Sequence, residues 1–212
     1  MVKAYILMAD VIGSSKKNSK TLIKEFKLIV AEVKKKHRGK FLSPITITLG
    51  DEFQAIVKTF DNAVEIIFSI EEALIKLKVS FSLRYVVEYG NVDTNINSEV
   101  AYEMLGTGLT KARVHLNELK KTKDRRVAFF LKNDEQAQAI ENLFLVFTSI
   151  IDGWKVADYY LLKVFLEHQF YKNVADELAM NRSQIWKRER TLMIKEYFAL
   201  KSAIQFISKN TK

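Results

Sequence analysis

Hydrophobic positions fall into two rhythms along this chain, and the change from one to the other divides it. Ala4-Tyr5-Ile6-Leu7-Met8 is an apolar run of strand length. Leu22, Ile23, Phe26, Ile29, Val30 and Val33 then recur at helical spacing, with Ser19 placed to cap the helix and Gly39 beyond its end. Residues 44–49 and 53–58 predict two strands joined at Gly50-Asp51-Glu52, a hairpin with acids at its tip. A second helix is predicted from Asp61 through Val64, Ile67, Phe68, Ile70, Leu74 and Leu77. Strict alternation follows: Phe81, Leu83, Tyr85, Val87 and Tyr89 on one side of a strand that Gly90 ends, with Arg84 and Glu88 on its polar side and able to pair with each other. Leu109, Ala112, Leu116 and Leu119 mark a third helix, opened by Gly106-Thr107-Gly108, and residues 127–131 close this half as a strand.

Beyond residue 132 the strand rhythm stops. Asn133 and Gln136 form a capping-box pair before Ile140, Leu143, Phe144 and Phe147. A further helix carries Trp154, Tyr160, Leu161, Val164 and Phe165; residues 174–178 form a short one, and Arg182 to about Phe206 a long last one. The order β-α-β-β-α-β followed by helix and strand predicts an α+β, ferredoxin-like domain over residues 1–132. An all-α domain over residues 133–212 completes the chain.

Composition narrows the chemistry. With 212 residues and 48% hydrophobic content there is enough chain for a substantial core, yet no run reaches the length of a membrane span. No secretion signal is visible, so a soluble cytoplasmic protein without a membrane partner is expected. Cysteine is absent and the histidines number 3, far apart, which excludes disulfides, thiolate catalysis and histidine-rich metal sites. The formal charge of +9 favours polyanionic partners. Lys34, Lys35, Lys36, Arg38 and Lys40 read as a solvated helix end, where the macrodipole favours cations. Lys16 and Lys17, beside the first acidic turn, suit a phosphate.

Two acidic turns carry the sharpest signal: Asp10-Val11-Ile12-Gly13-Ser14-Ser15 after the first strand and Gly50-Asp51-Glu52-Phe53 after the second. If these strands pair, Asp10 and Asp51 converge at one sheet edge, where two carboxylates can hold Mg²⁺ or Mn²⁺ against a nucleotide or another phosphorylated ligand. Glu52 reads as a solvated turn residue.

These motifs, in this order, resemble the paired metal motifs of class III adenylate and guanylate cyclases, and Gly50-Asp51-Glu52-Phe53 matches the end of the GGDEF signature. Over nearly its full length the chain resembles the SatD family of bacterial proteins, in which a domain with such a start and a GDEFQ motif precedes a helical segment. The cyclase resemblance implies that Asp10, a carbonyl of Val11 or Ile12, and Asp51 hold metal, and that Ile12, Gly13, Ser14 and Ser15 offer backbone N–H groups to phosphates at a helix start. It also implies that Arg113, at the end of the Gly106–Arg113 segment, stabilises a transition state in a homodimer. Two departures stand against cyclisation: Leu109 falls where the cyclases carry a ribose-reading asparagine, and Ile47 where they carry a base-reading lysine.

Residues 171–188 read as helix-turn-helix, similar to region 4 of bacterial sigma factors. Met180 plugs the turn, Asn181 caps the second helix and Ile185 is its first core contact. Ser183, Gln184, Lys187, Arg188 and Arg190 face outward toward DNA. Ile194, Phe198, Ile204, Phe206 and Ile207 offer a seam for a second copy. The sequence thus predicts a bacterial regulator that binds Mg²⁺ with a phosphorylated ligand in one domain and DNA in the other. The alternative is a metal-dependent nucleotide cyclase or oligonucleotide-forming synthase releasing pyrophosphate.

Overall fold

The structure, a computed structural model, describes residues 2–211, and of Lys16 the backbone alone. Five strands form one sheet: β1 (Val2–Val11), β2 (Phe41–Ile47), β3 (Glu52–Val57), β4 (Leu83–Val92) and β5 (Val127–Phe130), in the order β2-β3-β1-β4-β5. β1 runs antiparallel to β3 and β4, β2 is antiparallel to β3, and β5 joins β4 in parallel. The protein is therefore a mixed α+β fold. Among the described residues no helix is long and apolar enough to cross a membrane.

Period-two alternation gives the sheet two buried faces. Leu7, Ala9 and Val11 point to one core, shared with α1 (Ser19–Lys36) and α2 (Phe60–Lys76). Ala4, Ile6 and Met8 point to the other, shared with Leu109, Ala112 and Leu116 of α3 (Thr107–Leu119). Asp10 has the parity of Met8 and so lies on the α3 face, where its pairing partners on the neighbouring strands are Glu52 and Arg84.

Several boundaries differ from the sequence reading. Asn18, not Ser19, caps α1, accepting a hydrogen bond from the Thr21 N–H at 3.2 Å. β4 does not end at Gly90 but continues to Val92, because β1 goes on pairing with it through Ala4–Gly90, Lys3–Asn91 and Val2–Val92, and the glycine serves instead as the point where α3 meets the strand. Arg84 and Glu88 do not pair with each other; four residues apart on a strand, they stand about 13 Å apart along it. Arg84 instead meets Asp10, and Glu88 meets His115 at 3.0 Å.

The remaining helices are α4 (Asp134–Asp152), α5 (Tyr159–His168), α6 (Tyr171–Glu177), α7 (Arg182–Thr191) and α8 (Ile194–Lys209). Asn133 caps α4 through the Gln136 N–H at 3.0 Å. These helices extend the core of α1 and α2. Phe68 of α2 stacks on Phe144 at 5.5 Å and meets Phe147 edge-on at 4.8 Å, and Phe147 in turn packs on Tyr197 of α8 at 5.1 Å. Glu72 of α2 accepts the Tyr197 hydroxyl at 3.1 Å and pairs with Lys201.

Two expectations for the last helix fail. Ile194 and Ile204, read as a seam for another copy, are buried in the chain's own core, while Phe206 stays 71% exposed. The predicted continuous helix from Arg182 breaks at Leu192-Met193, where Met193 adopts φ 53°. There the buried Trp154 indole N–H donates to the Leu192 carbonyl at 2.8 Å and takes an acceptor the helix would have used.

Packing of α1 on α2 also traps an ionisable group. His37, 6% exposed, sets Nε2 2.7 Å from the Ser69 hydroxyl and leaves Nδ1 without a partner. Burial, then Lys40 and Lys36, lower its pKa from 6.5 to about 4 against the opposing pull of Glu72. The folded state thus keeps a neutral imidazole where the unfolded chain takes up a proton. Its contribution is present above about pH 6.5 and is lost as pH falls through about 4, a difference of about 3 kcal/mol. Urea denaturation from pH 7 to 4 is expected to show His37→Gln losing less stability than the unsubstituted protein by about that amount; parallel pH profiles would refute it.

Candidate functional site

The ends of β1 and β3 meet α3 in one cluster of charge. Asp10 lies opposite Glu52 on β3, and the Asp51 carbonyl accepts the Val11 N–H at 2.9 Å. Asp10, at the end of β1, and Asp51, in the turn just before β3, therefore stand at the same end of the sheet. From β4, Arg84 Nη1 donates to Asp10 Oδ2 at 3.3 Å, and Lys120, just past α3, sets Nζ 3.6 Å from the same oxygen. Asp10 Oδ1 is buried with no hydrogen-bond partner.

Glu52 has the richer set. Its Oε1 accepts from Lys120 at 2.8 Å and its Oε2 is paired with Arg113. The two acids diverge accordingly. Burial raises the pKa of Asp10, and Lys120 and Arg84 offset this only in part, with Glu52 and Asp51 adding to the rise. Burial also pushes Glu52 upward, but hydrogen bonds from Lys120 and Arg113 outweigh it and hold that carboxyl below its usual range.

Two glycines set the height of α3 above the sheet. A Cβ on Gly108 would stand 2.7 Å from the Gly90 carbonyl carbon and 2.8 Å from the Asn91 nitrogen, so backbone meets backbone there. This close seat buries Leu109 in the core of that face and brings Arg113 and Lys120, two helical turns apart on one side, over Glu52.

The first turn differs from its reading. The Ile12 N–H already donates to the Ser82 carbonyl at 2.9 Å, and the Val11 N–H to Asp51. Gly13 is left-handed at φ 68°, and Ser14, Ser15 and the Lys16 backbone form a short 3-10 turn, so α1 begins only at Ser19. Lys17 donates to the Ser80 carbonyl at 3.0 Å. The Lys16 side chain lies outside the described residues.

Glu52, Arg84 and Lys120 escaped the sequence reading as site residues. Glu52 is 6% exposed and not a solvated turn acid. A signal existed for Lys120, which follows Arg113 by seven positions and so shares its helix face.

In the helical half, α6 and α7 are joined by a tight turn in which Ala179 takes φ 49°. Asn181 caps α7 by accepting the Ser183 N–H at 2.8 Å, and Ile185 is fully buried. Met180, read as a plug, is 47% exposed, so the turn closes without it. The pin is instead Glu189, buried on α7 and accepting the Tyr171 N–H of α6 at 3.3 Å. Ser183, Gln184, Lys187 and Arg190 are exposed, Arg190 resting 5.1 Å over the Trp186 ring, whereas Arg188 is drawn aside to Asp158.

A five-stranded α+β protein with an ionic cluster between its sheet and one helix is the class these features define. The SatD family matches residues 5–207, and the chain belongs to that family. Among solved structures, it is similar to a bacterial light-regulated adenylyl cyclase at 18% identity and a TM-score of 0.47, over 60% of this chain and 43% of that one. A rhodopsin-guanylyl cyclase core in complex with ATPalphaS aligns at 15% identity and a TM-score of 0.42, covering 60% of this chain and 76% of that one. The guanylate cyclase domain of RhGC from Catenaria anguillulae, in complex with GTP, aligns at 16% and 0.37, covering 52% and 70%. The chain thus spans less than half of the first of these. No curated protein matches it.

The ionic cluster predicts its own sensitivity. Replacing Glu52 by Gln leaves two cations without their carboxylate, at a cost of about 2 kcal/mol at neutral pH because both cations are partly solvated. Since the folded pKa of Glu52 is depressed, its contribution is present above the unfolded value near 4.5 and is lost as pH falls below it. Denaturation curves of the two proteins should therefore converge in acid; a constant offset down to low pH would contradict this origin.

Proposed function

We propose that this SatD-family protein is a regulator that takes up a divalent cation together with a nucleotide or other phosphorylated ligand at the β1–β3 end, and binds DNA through α6 and α7. The observation that carries the first part is the buried, unpartnered Oδ1 of Asp10 beside Asp51. A buried carboxylate oxygen without a donor is costly, and a cation relieves that cost. Among the described residues no three His, Cys, Asp or Glu side chains group as metal ligands. A site with two carboxylates suits Mg²⁺ or Mn²⁺, which complete their shell with phosphate and water. Asp10, Asp51 and Glu52 are balanced by Arg84, Arg113 and Lys120, so an added cation calls for an added anion. That balance favours a metal–phosphate pair over a bare metal. The strand order β4-β1-β3-β2, with α1 and α2 on one face, supports the ferredoxin-like reading of the sheet domain.

Turnover with release of pyrophosphate is the second reading, favoured by the position of Arg113 over the same carboxylates. Mn²⁺ titration followed by electron paramagnetic resonance, with and without ATP, tests the site. Binding should tighten with ATP, weaken at least about tenfold in Asp10→Asn, and strengthen as pH rises, since the cation must displace a proton held by a raised pKa. Unchanged binding in Asp10→Asn would remove the proposal. Pyrophosphate appearing in those incubations would establish the enzyme reading instead.

For DNA, the exposed donors of α7 support a groove-facing role. Lys187→Ala and Arg190→Ala should each weaken duplex binding and lower the salt slope by about one. A duplex affinity that neither change alters would exclude α7 as the contact.

A further inference from the structure

The basic end of α1 borders a groove of about 600 Å³ at the β2 edge, within the range of small-molecule sites. Lys34, Lys35 and Arg38 form one wall. Lys40, two residues on, is paired with Glu65, whereas among the described residues these three cations enter no ion pair. The macrodipole accounts for cations in the last turn of a helix. It does not account for a concave apolar surface beneath them, and Phe41, Leu42 and Pro44 provide one. Pro44 suits an edge strand, and the β2–β3 register shifts on both sides of Ser43.

The opposite wall is fixed in place. Ser98 and Glu99 belong to the β4–α3 connection, where Asn97 Oδ1 accepts the Glu99 N–H at 3.0 Å. The connection is pinned to the sheet by the Ala101 N–H on Thr46 Oγ1 at 2.8 Å and by Gln54 on the Ala101 carbonyl at 3.1 Å. The groove thus runs along the sheet edge, with cations on one side, the half-buried Leu42 and Pro44 between, and a hydroxyl and a carboxylate on the other.

We infer that this groove is a second ligand site, taking an aromatic phosphoanion of nucleotide type without metal. The phosphates lie on Lys34, Lys35 and Arg38, the ring lies on Leu42 and Pro44, and Glu99 accepts from a sugar hydroxyl or an exocyclic amine. The 18 residues of α1 put its basic end about 27 Å along the helix axis from its start after the Asp10 turn. The groove needs neither Asp10 nor a divalent cation, so it stands apart from the function proposed above.

Calorimetric titration with ATP in excess EDTA tests it. The protein should bind ATP under these conditions, more tightly than it binds tripolyphosphate, which lacks a ring for the apolar surface. The doubly substituted Lys35→Glu, Arg38→Glu protein should lose about tenfold or more in affinity, and Asp10→Asn should lose nothing. No binding in EDTA, or equal binding by the double variant, overturns the site. Tripolyphosphate binding as tightly as ATP overturns the assignment of an aromatic ligand. Metal-dependent binding that only Asp10→Asn abolishes would leave the first site standing and this one refuted.

Discussion

The opposition of Asp10 and Glu52 to Arg84, Arg113 and Lys120 is the interaction on which the sheet end depends. Strand alternation alone drives the two acids and Arg84 onto the face that α3 covers, where water cannot solvate them fully. Once there, the acids need cations, and α3 brings two of them. The glycine contact between Gly90 and Gly108 is what allows the helix to sit low enough for those side chains to reach. Backbone proximity, charge pairing and strand register are thus one constraint seen from three sides.

The same constraint leaves the two carboxylates in different states. Glu52 is fully engaged and held ionised, while Asp10 retains a buried oxygen with no donor and a raised pKa. Under the function proposed above, the acid left short is the one that receives the cation, and the cations already present are the ones that meet the anion arriving with it. Arg126 shows the contrasting case of a closed network. Its guanidinium makes bonds of 2.8 and 2.9 Å to Glu71 and another to the Leu83 carbonyl, leaving little to offer a ligand.

Much of this was legible in the residue pattern. Helical spacing located α1, α2 and α4, alternation located β4, and the two acidic turns pointed to one sheet end. What escaped depends on contacts distant in sequence. Glu52 resembles any turn acid until Arg113 and Lys120, sixty or more positions away, are placed above it. The break at Leu192-Met193 follows from Trp154, thirty-eight residues earlier, taking a carbonyl. The apolar stripe of α8 signalled burial correctly, but periodicity cannot say whether a second copy or α2 lies against it. A groove is equally invisible to periodicity: Lys34, Lys35 and Arg38 read as a plain helix end until β2 and the β4–α3 connection are set around them.

The most direct test is diffraction from crystals soaked in Mn²⁺ with a non-hydrolysable nucleoside triphosphate, measured at the manganese edge. The account predicts one anomalous peak about 2.2 Å from the carboxylate oxygens of Asp10 and Asp51, with the Arg84 guanidinium turned toward phosphate. Ordered nucleotide with no manganese at those two residues, or Asp10 still held by Arg84 and Lys120 in the loaded crystal, would contradict it.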